Sequence, residues 1–169
     1  IENNWTNNNA AGGFTHNNGT VTFTVGNTQT ITKAGTETFF NLVINKTAGT
    51  TVTSAVTTIA VTNLLTMTQG IFNVGTNTLN GAGGFTATGG DLQLAKLTTV
   101  PELTGAYNIT GGTVTLNGAG AQTLNTPSWT AGAGSNTYYN LVFTTSGAKT
   151  ITGLLTINGL VASDQVLIP

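Results

Sequence analysis

The chain has 169 residues, of which only 5% are charged, and its formal net charge is −1. Four lysines and no arginine cannot neutralise many phosphates, so we expect no nucleic-acid partner. The absence of cysteine excludes disulfides and thiolate metal sites, and no apolar run approaches the ~20 residues that a membrane-spanning helix needs. The surface must be built from Thr, Asn, Ser and Gly, and such a weakly charged surface favours association between copies.

Apolar and polar residues alternate along the chain with a period of two. The alternating runs lie, in chain order, at residues 20–25, 40–45, 58–62, 91–94, 113–116 and 155–158. Because successive side chains of a strand point to opposite faces, these runs predict short strands with one buried side and one wet side. On this count Phe40 and Tyr139 point inward, and Phe39 and Tyr138 point outward. Gly and Asn suit the sharp corners between the runs, and no stretch has helical spacing, so we expect little or no α-helix.

The same strand sequences occur twice in the same order. The recurring segments are GTVTF at 19–23 and GTVTL at 112–116, FFNLV at 39–43 and YYNLV at 138–142, and LLT at 64–66 and 154–156. Self-similarity of this kind indicates a repeat architecture. We predict one domain over 1–169 made of two diverged repeats, about 19–80 and 112–160, with an irregular connector or protruding loop near 95–105.

Two architectures fit short strands with Gly and Asn corners. The turns can close the antiparallel hairpins of a sandwich or barrel, or they can form the corners of a solenoid whose strands stack in parallel from coil to coil. The repeated sequence favours the solenoid. Low charge favours it too, because like charges stacked about 4.8 Å apart would repel each other. The expected fold class is therefore an all-β parallel β-helix of about seven or eight coils, with Asn and Thr side chains hydrogen-bonded between coils.

The order of these motifs resembles the Thr/Gly/Asn-rich β-solenoid repeats of large secreted bacterial surface and adhesin-like proteins. The matching segments are 19–23, 29–31, 39–45, 48–53 and 65–70, and then 112–118, 122–124, 138–143 and 155–159. The resemblance implies a right-handed parallel β-helix that serves as stalk, adhesin or filament material outside the cell or at its surface. It implies no catalytic residue and no cofactor. The chain departs from that group because it is a short unit of two repeats.

The ionisable residues form no catalytic or metal-binding pattern. The carboxylates, which we expect to be solvated, are Glu2, Glu37, Asp91, Glu102 and Asp164. Asp91 and Glu102 are about half a coil apart, so they need not meet as the paired acids of a glycosidase do. The single histidine, His16, is expected in an exposed turn, and one histidine without cysteine excludes the common zinc sites. We therefore predict no enzymatic activity, no catalytic residue, no metal and no cofactor.

The predicted function is structural assembly. The first and last coils of a solenoid expose unpaired backbone groups and an open apolar core, and the sequence shows no capping helix or charged blocking strand. We predict an extracellular subunit that stacks head to tail with copies of itself into a filament, stalk or matrix, because such a contact does not close. The candidate subunit-interface residues are Trp5, Phe14, Phe39, Tyr138, Val166, Leu167 and Ile168.

Two other functions stay open. Aromatic residues such as Trp5 and Trp129 could stack on sugars, so the chain could be an adhesin module that binds glycans or a surface. Thr-x-Thr pairs, for example at 20–22 and 113–115, could form the flat hydroxyl array of an ice-binding solenoid. Threonine also fills the wet side of ordinary strands, and irregular coil lengths work against flatness.

Overall fold

A computed structural model gives the fold and describes residues 1–10, 12–24, 26–126, 137–151 and 155–163. In this part of the chain every regular element is a β-strand, and every strand pair is parallel. The strands are β1 (Trp5–Asn7), β2 (Thr20–Phe23), β3 (Gln29–Lys33), β4 (Thr36–Asn45), β5 (Thr51–Ala55), β6 (Thr58–Gln69), β7 (Ile71–Gly75), β8 (Thr78–Gly81), β9 (Gly84–Leu94), β10 (Thr99–Val100), β11 (Glu102–Leu103), β12 (Tyr107–Leu116), β13 (Gln122–Leu124), β14 (Thr137–Tyr138), β15 (Asn140–Phe143), β16 (Lys149–Ile151), β17 (Thr156–Ile157) and β18 (Val161–Ser163).

The strands stack in three columns, which we call faces A, B and C. Face A contains β1, β3, β5, β7, residues 91–94 of β9, residues 113–116 of β12, β15 and β18. Face B contains β2, residues 41–45 of β4, residues 64–69 of β6, residues 84–88 of β9, residues 107–110 of β12, β14 and β17. Face C contains residues 36–39 of β4, residues 58–61 of β6, β8, β10, β11, β13 and β16. The chain passes through C, B and A in turn for about seven coils, which confirms the predicted all-β parallel solenoid.

One apolar core runs through the inside of the coils. The inward positions of face A are in register from coil to coil, and they are fully buried at Val52, Phe72, Leu92, Val114 and Leu141. Burying a side chain of this size contributes roughly 1.5–3 kcal/mol. The solenoid is therefore stabilised mainly by an apolar column that each coil extends.

Polar side chains also bond from coil to coil on the outside, as predicted. Asn41 Nδ2 donates to Thr20 Oγ1 at 3.1 Å, and Asn63 Nδ2 donates to Asn41 Oδ1 at 2.7 Å. These three side chains belong to successive coils. Uncharged ladders of this kind replace the ion pairs of an ordinary protein surface.

The predicted side-chain directions of the two aromatic pairs are wrong. Phe39 and Tyr138 are fully buried, whereas Tyr139 is 36% exposed and Phe40 is half-buried. The reason is a corner, because Phe39 ends face C and Asn41 begins face B, with a shift of register between them. The residue at the bend occupies a position on neither strand, so the alternation restarts in the opposite phase.

The sequence repeat is not a whole number of coils. Phe39 lies on face C and Asn41 on face B, but the corresponding Tyr138 lies on face B and Asn140 on face A. The second copy of this motif therefore stands one face further round the coil than the first. Because it bends the chain in the same way on different faces, the motif itself specifies the corner.

The segment near 95–105, expected to be an irregular connector or protruding loop, belongs to face C. There β10 pairs with β13, and β11 pairs with β8. Val100, Pro101 and Leu103 are buried, so the segment does not protrude. Lys96 Nζ lies 2.5 Å from Glu102 Oε1, an ion pair that joins the residues before β10 to β11.

Candidate functional site

The two ends of the solenoid form the candidate functional site because their strands are paired on one side only. Within the described ranges, β1 and β2 are the first strands of faces A and B, and β18 and β17 are the last. A strand edge with unpaired N–H and C=O groups is a template for a further strand. The side chains around each edge therefore decide what each end can bind.

The C-terminal end of the described coils presents an open apolar rung. Val161 continues the inward column of Val114 and Leu141 on face A. Val114 and Leu141 are fully buried, but Val161 is 39% exposed, and its neighbour Leu160 is 64% exposed. The Leu160 N–H donates to Asn140 Oδ1 at 2.8 Å, which fixes this segment against the preceding coil. Apolar side chains in this position can gain free energy from being covered.

Tyr138 and residues 166–168 are the predicted interface residues in this half of the chain. Residues 166–168 lie outside the described residues. Tyr138 is a core residue, and its hydroxyl donates to the carbonyl oxygen of Asn125 at 2.8 Å. The exposed aromatic side chain near this end is Tyr139, which the alternation had placed inside.

The N-terminal end is covered by an aromatic cluster. The Trp5 ring lies 4.8 Å from that of Phe14 and 5.4 Å from that of Phe39, between centroids, in edge-to-face geometry. Trp5 and Phe14 are half-buried, and both pack against the core. The expectation that neither end is capped is therefore wrong here, since these rings cover the first coil. Phe39, predicted to lie at the interface, belongs to the core.

Glu37 is buried behind this cluster, so its predicted solvation is wrong. It is 1% exposed and occupies an inward position of face C, in register with Ile59. Its Oε2 accepts hydrogen bonds from Trp5 Nε1 at 3.0 Å and Asn7 Nδ2 at 2.8 Å. Its Oε1 lies 3.6 Å from Lys33 Nζ. The carboxylate is thus tolerated at the end of the core because donors surround it.

Gln29 and Lys46 provide a second polar closure at this end, which the alternation of apolar and polar residues does not reveal. Gln29 is fully buried at an inward position of face A, in register with Val52. Its Nε2 donates to the carbonyl oxygens of Ile1 (3.2 Å) and Asn3 (2.6 Å), and its Oε1 accepts from Lys46 Nζ at 2.5 Å. Burial lowers the pKa of Lys46 below its ordinary value of 10.5. These contacts join the first coil to the next one.

A similar glutamine and lysine occur in the second repeat. Gln122 Nε2 donates to the carbonyl oxygens of Leu94 (2.9 Å) and Lys96 (3.0 Å) in the preceding coil. Lys149 is in register with Gln122, is 2% exposed, and donates to the carbonyl oxygen of Gly118 at 2.7 Å. The recurrence of Gln29 at Gln122 was the one sequence signal for these buried amides that bridge coils.

A cleft of about 890 Å³ opens beside the N-terminal cluster. Residues 4–10, 13 and 14 line it, so its walls combine two aromatic rings with several amide side chains. Asn8 is exposed there, whereas Asn7 is already bonded to Glu37 and to the Gly12 carbonyl. None of the residues that line the cleft is charged, and the ion pair of Lys33 with Glu37 is buried behind it.

The other ionisable residues lie apart from one another. Asp91 is on face A, where its Oδ1 accepts from Thr115 Oγ1 at 2.8 Å, and Glu102 is on face C. His16, expected to be exposed, is half-buried with its ring centroid 5.6 Å from that of Phe40. In the part of the chain that the structure covers, no group of three or more His, Cys, Asp or Glu residues could hold a metal ion. The absence of enzymatic activity stays a prediction.

Comparison with protein-family models, with curated proteins and with solved structures finds no match for this chain. None of the described residues belongs to a helix that could span a bilayer. The resemblance to bacterial surface proteins, and the extracellular location that it implies, stay predictions.

Proposed function

We propose that the protein is a structural module that assembles head to tail with copies of itself through the ends of its solenoid. The observation that carries the proposal is the exposure of Val161. This residue occupies an inward column whose members are buried at every rung from Val52 to Leu141. A further coil from a second copy would cover it as each coil covers the one before.

Head-to-tail contact preserves the parallel pairing used throughout the solenoid. In this arrangement β18 of one copy lies along the unpaired edge of β1 of the next copy on face A. Because the first rung is closed by Glu37 and Gln29, the contact at that end relies on backbone edges more than on apolar surface. Such a contact joins different surfaces and does not close, so it generates filaments. The extracellular location follows the resemblance and is part of the proposal.

The test is the state of association of the whole chain at increasing concentration, measured by light scattering and negative-stain microscopy. We expect open oligomers for the wild type. Val161→Lys places a charge on the apolar rung and should reduce association. Leu97→Lys is the matched control, because Leu97 is 55% exposed but lies between β9 and β10, away from the terminal rung. A wild type that stays monomeric, forms only closed dimers, or loses association equally in both variants overturns the proposal.

A glycan-binding role is the second candidate, and the N-terminal cleft favours it. The ring of Trp5 and the amide of Asn8 are the kinds of group that contact neutral sugars. Calorimetric titration with neutral oligosaccharides tests the idea. Asn8→Ala should weaken binding, whereas Asn108→Ala, an exposed amide on face B, should not. No heat of binding with the wild type would remove this candidate.

A further inference from the structure

An amine, an amide and a carboxylate meet at the corner between face A and face C in the first coils. They belong to Asn7 at the end of β1, Lys33 at the end of β3 and Glu37 in β4. Asn7 and Lys33 are in register on neighbouring strands, and Glu37 follows Lys33 by four residues across the corner. The fold therefore brings together three side chains that can react with one another.

The amine of Lys33 and the amide of Asn7 share their contacts. Asn7 Nδ2 and Lys33 Nζ donate to the same carbonyl oxygen, that of Gly12, at 2.9 Å and 3.0 Å. The same nitrogens lie against the two oxygens of the Glu37 carboxylate, with Nδ2 2.8 Å from Oε2 and Nζ 3.6 Å from Oε1. Two nitrogen atoms that share both partners are neighbours, so the amine is held next to the amide group.

Burial favours a proton transfer between Lys33 and Glu37. The two side chains are only 7% and 1% exposed, and Trp5 Nε1 fixes the carboxylate with a further hydrogen bond of 3.0 Å. A proton passed from the ammonium of Lys33 to Glu37 removes both charges from a site where charges are costly. The neutral amine that results is the nucleophilic form of lysine.

The amide of Asn7 is arranged to accept a nucleophile. Its Oδ1 accepts a hydrogen bond from the Asn9 backbone N–H at 3.1 Å, and such a donor stabilises the negative charge that develops on the oxygen during attack. Gly13 packs over the same oxygen, since a Cβ at this position would lie 2.6 Å from Oδ1. Asn7 also lines the N-terminal cleft, which gives a small leaving group a route to solvent.

The other amine and amide at this end of the chain lack a carboxylate. Lys46 Nζ donates to Gln29 Oε1 at 2.5 Å and to the Asn27 carbonyl oxygen at 2.6 Å. Among the described residues no acidic side chain contacts Lys46 or Gln29. This pair has no group to carry protons from the amine to the amide, so it provides an internal comparison for the first site.

We propose that Lys33 and Asn7 become joined by a covalent amide bond that the folded chain forms by itself. The lone pair of Lys33 Nζ forms a bond to Cγ of Asn7, and the bond from Cγ to Nδ2 breaks with its electron pair on Nδ2. Nζ gives up two protons in all, Glu37 relays them to Nδ2, and Nδ2 leaves as an ammonium ion. The carboxylate of Glu37 is regenerated, and no oxidant or other reactant is consumed.

The bond would tie the first coil to the second. The outer edge of β1 has no partner among the described strands, so this strand is held only by its pairing with β3. A cross-link from Asn7 to Lys33 prevents β1 from separating from β3, and it also restricts the unfolded chain. The reaction takes place once in each chain and needs no second copy, so it is independent of head-to-tail assembly.

The experiment measures the mass of the intact full-length chain and of its peptides. The wild type should be lighter than its sequence by the mass of one ammonia molecule. Chymotrypsin cuts after aromatic residues, and Phe14 and Phe23 lie between Asn7 and Lys33. Digestion should therefore release Asn7 and Lys33 in two peptides that remain joined to each other.

Two variants test the chemistry. Glu37→Gln keeps the size of the side chain but cannot relay protons, so this chain should have its full sequence mass. Lys96→Met is the matched control, because Lys96 also pairs with a glutamate, Glu102, but contacts no amide side chain. This control should lose one ammonia molecule as the wild type does. Circular dichroism checks that each variant is folded.

If Glu37→Gln does not fold, the joined peptides of the wild type decide, because they identify both residues without any variant. The proposal is overturned if the wild type has its full sequence mass, or if ammonia is lost without joined peptides. A cross-link that forms equally in folded Glu37→Gln would also overturn it. Val161→Lys should keep the cross-link even where it reduces association, so this proposal and head-to-tail assembly can fail separately.

Discussion

The two ends of the solenoid finish the same core in different ways. At the N-terminal end, inward positions hold Glu37 and Gln29, which are buried and bonded to residues of neighbouring coils. At the last described rung, the inward position of face A holds Val161, which is exposed. The difference shows that a few polar side chains with enough partners can close an apolar column without a capping helix.

Among the variants that test this comparison, Glu37→Ala should lower the free energy of unfolding most. Glu37→Ala leaves Trp5 Nε1 without its acceptor, and Lys33 and Asn7 Nδ2 keep only the Gly12 carbonyl oxygen. Because the buried Lys33 also loses its counter-charge, we expect a loss of about 3 kcal/mol in the free energy of unfolding. Glu102→Ala is the control, because the pair of Glu102 with Lys96 is partly exposed and should contribute less than about 1 kcal/mol. Urea denaturation measures both. Equal losses would mean that the polar closure is no stronger than a surface ion pair.

A milder change at the same end removes one donor. Trp5→Phe keeps an aromatic ring against Phe14 and Phe39 but deletes the Nε1 hydrogen bond to the Glu37 carboxylate. Hydrogen bonds to charged groups contribute about 1.5–3 kcal/mol, so we expect a loss near the lower end of that range. Thermal denaturation measures it. An unchanged midpoint would show that the ring, and not its N–H, closes this end.

Two buried tyrosines in the C-terminal half should make the free energy of unfolding fall at alkaline pH. Burial raises the pKa of Tyr107 and of Tyr138 above the ordinary value of 10.0. The folded chain keeps protons that the unfolded chain releases above that pH, so this contribution is complete below pH 10.0 and is lost as the pH rises. The loss is about 1.4 kcal/mol per pH unit for each tyrosine. Unfolding free energies on both sides of pH 10.0 measure the slope, which Tyr138→Phe should reduce; an unchanged slope would contradict the assignment.

Lys46 at the N-terminal end should make the free energy of unfolding change with pH in the opposite direction, by a smaller amount. Burial lowers the pKa of Lys46 below 10.5, so the unfolded state binds this proton more tightly than the folded state. Stability therefore rises with pH in the interval between the lowered pKa and 10.5. Lys46→Met lacks this group, and the difference in unfolding free energy between wild type and variant measures its contribution. A difference that does not change with pH would refute the prediction.

Fold class and repeats could be predicted because both depend on local sequence. Alternation identifies strands one at a time, and the echo of segment 39–43 at 138–142 identifies the repeat without any knowledge of contacts. The corners could not be predicted by the same count. Alternation assumes a straight strand, whereas Phe40 and Tyr139 stand at bends where the phase changes.

The candidate sites were harder to predict because they depend on residues that are distant in sequence. Glu37 is buried only because Trp5 and Asn7, in the preceding coil, supply donors. Composition alone suggested solvated carboxylates and a general excess of threonine.

The step of one face between the two copies of the corner motif has a consequence for any longer array. Adding a unit of this kind lengthens the rod and places its corner motif one face further round the coil. The corner motifs of successive units would then follow a spiral path around the outside of the rod. Each side of a fibre built from such units would in turn display the same corner motif.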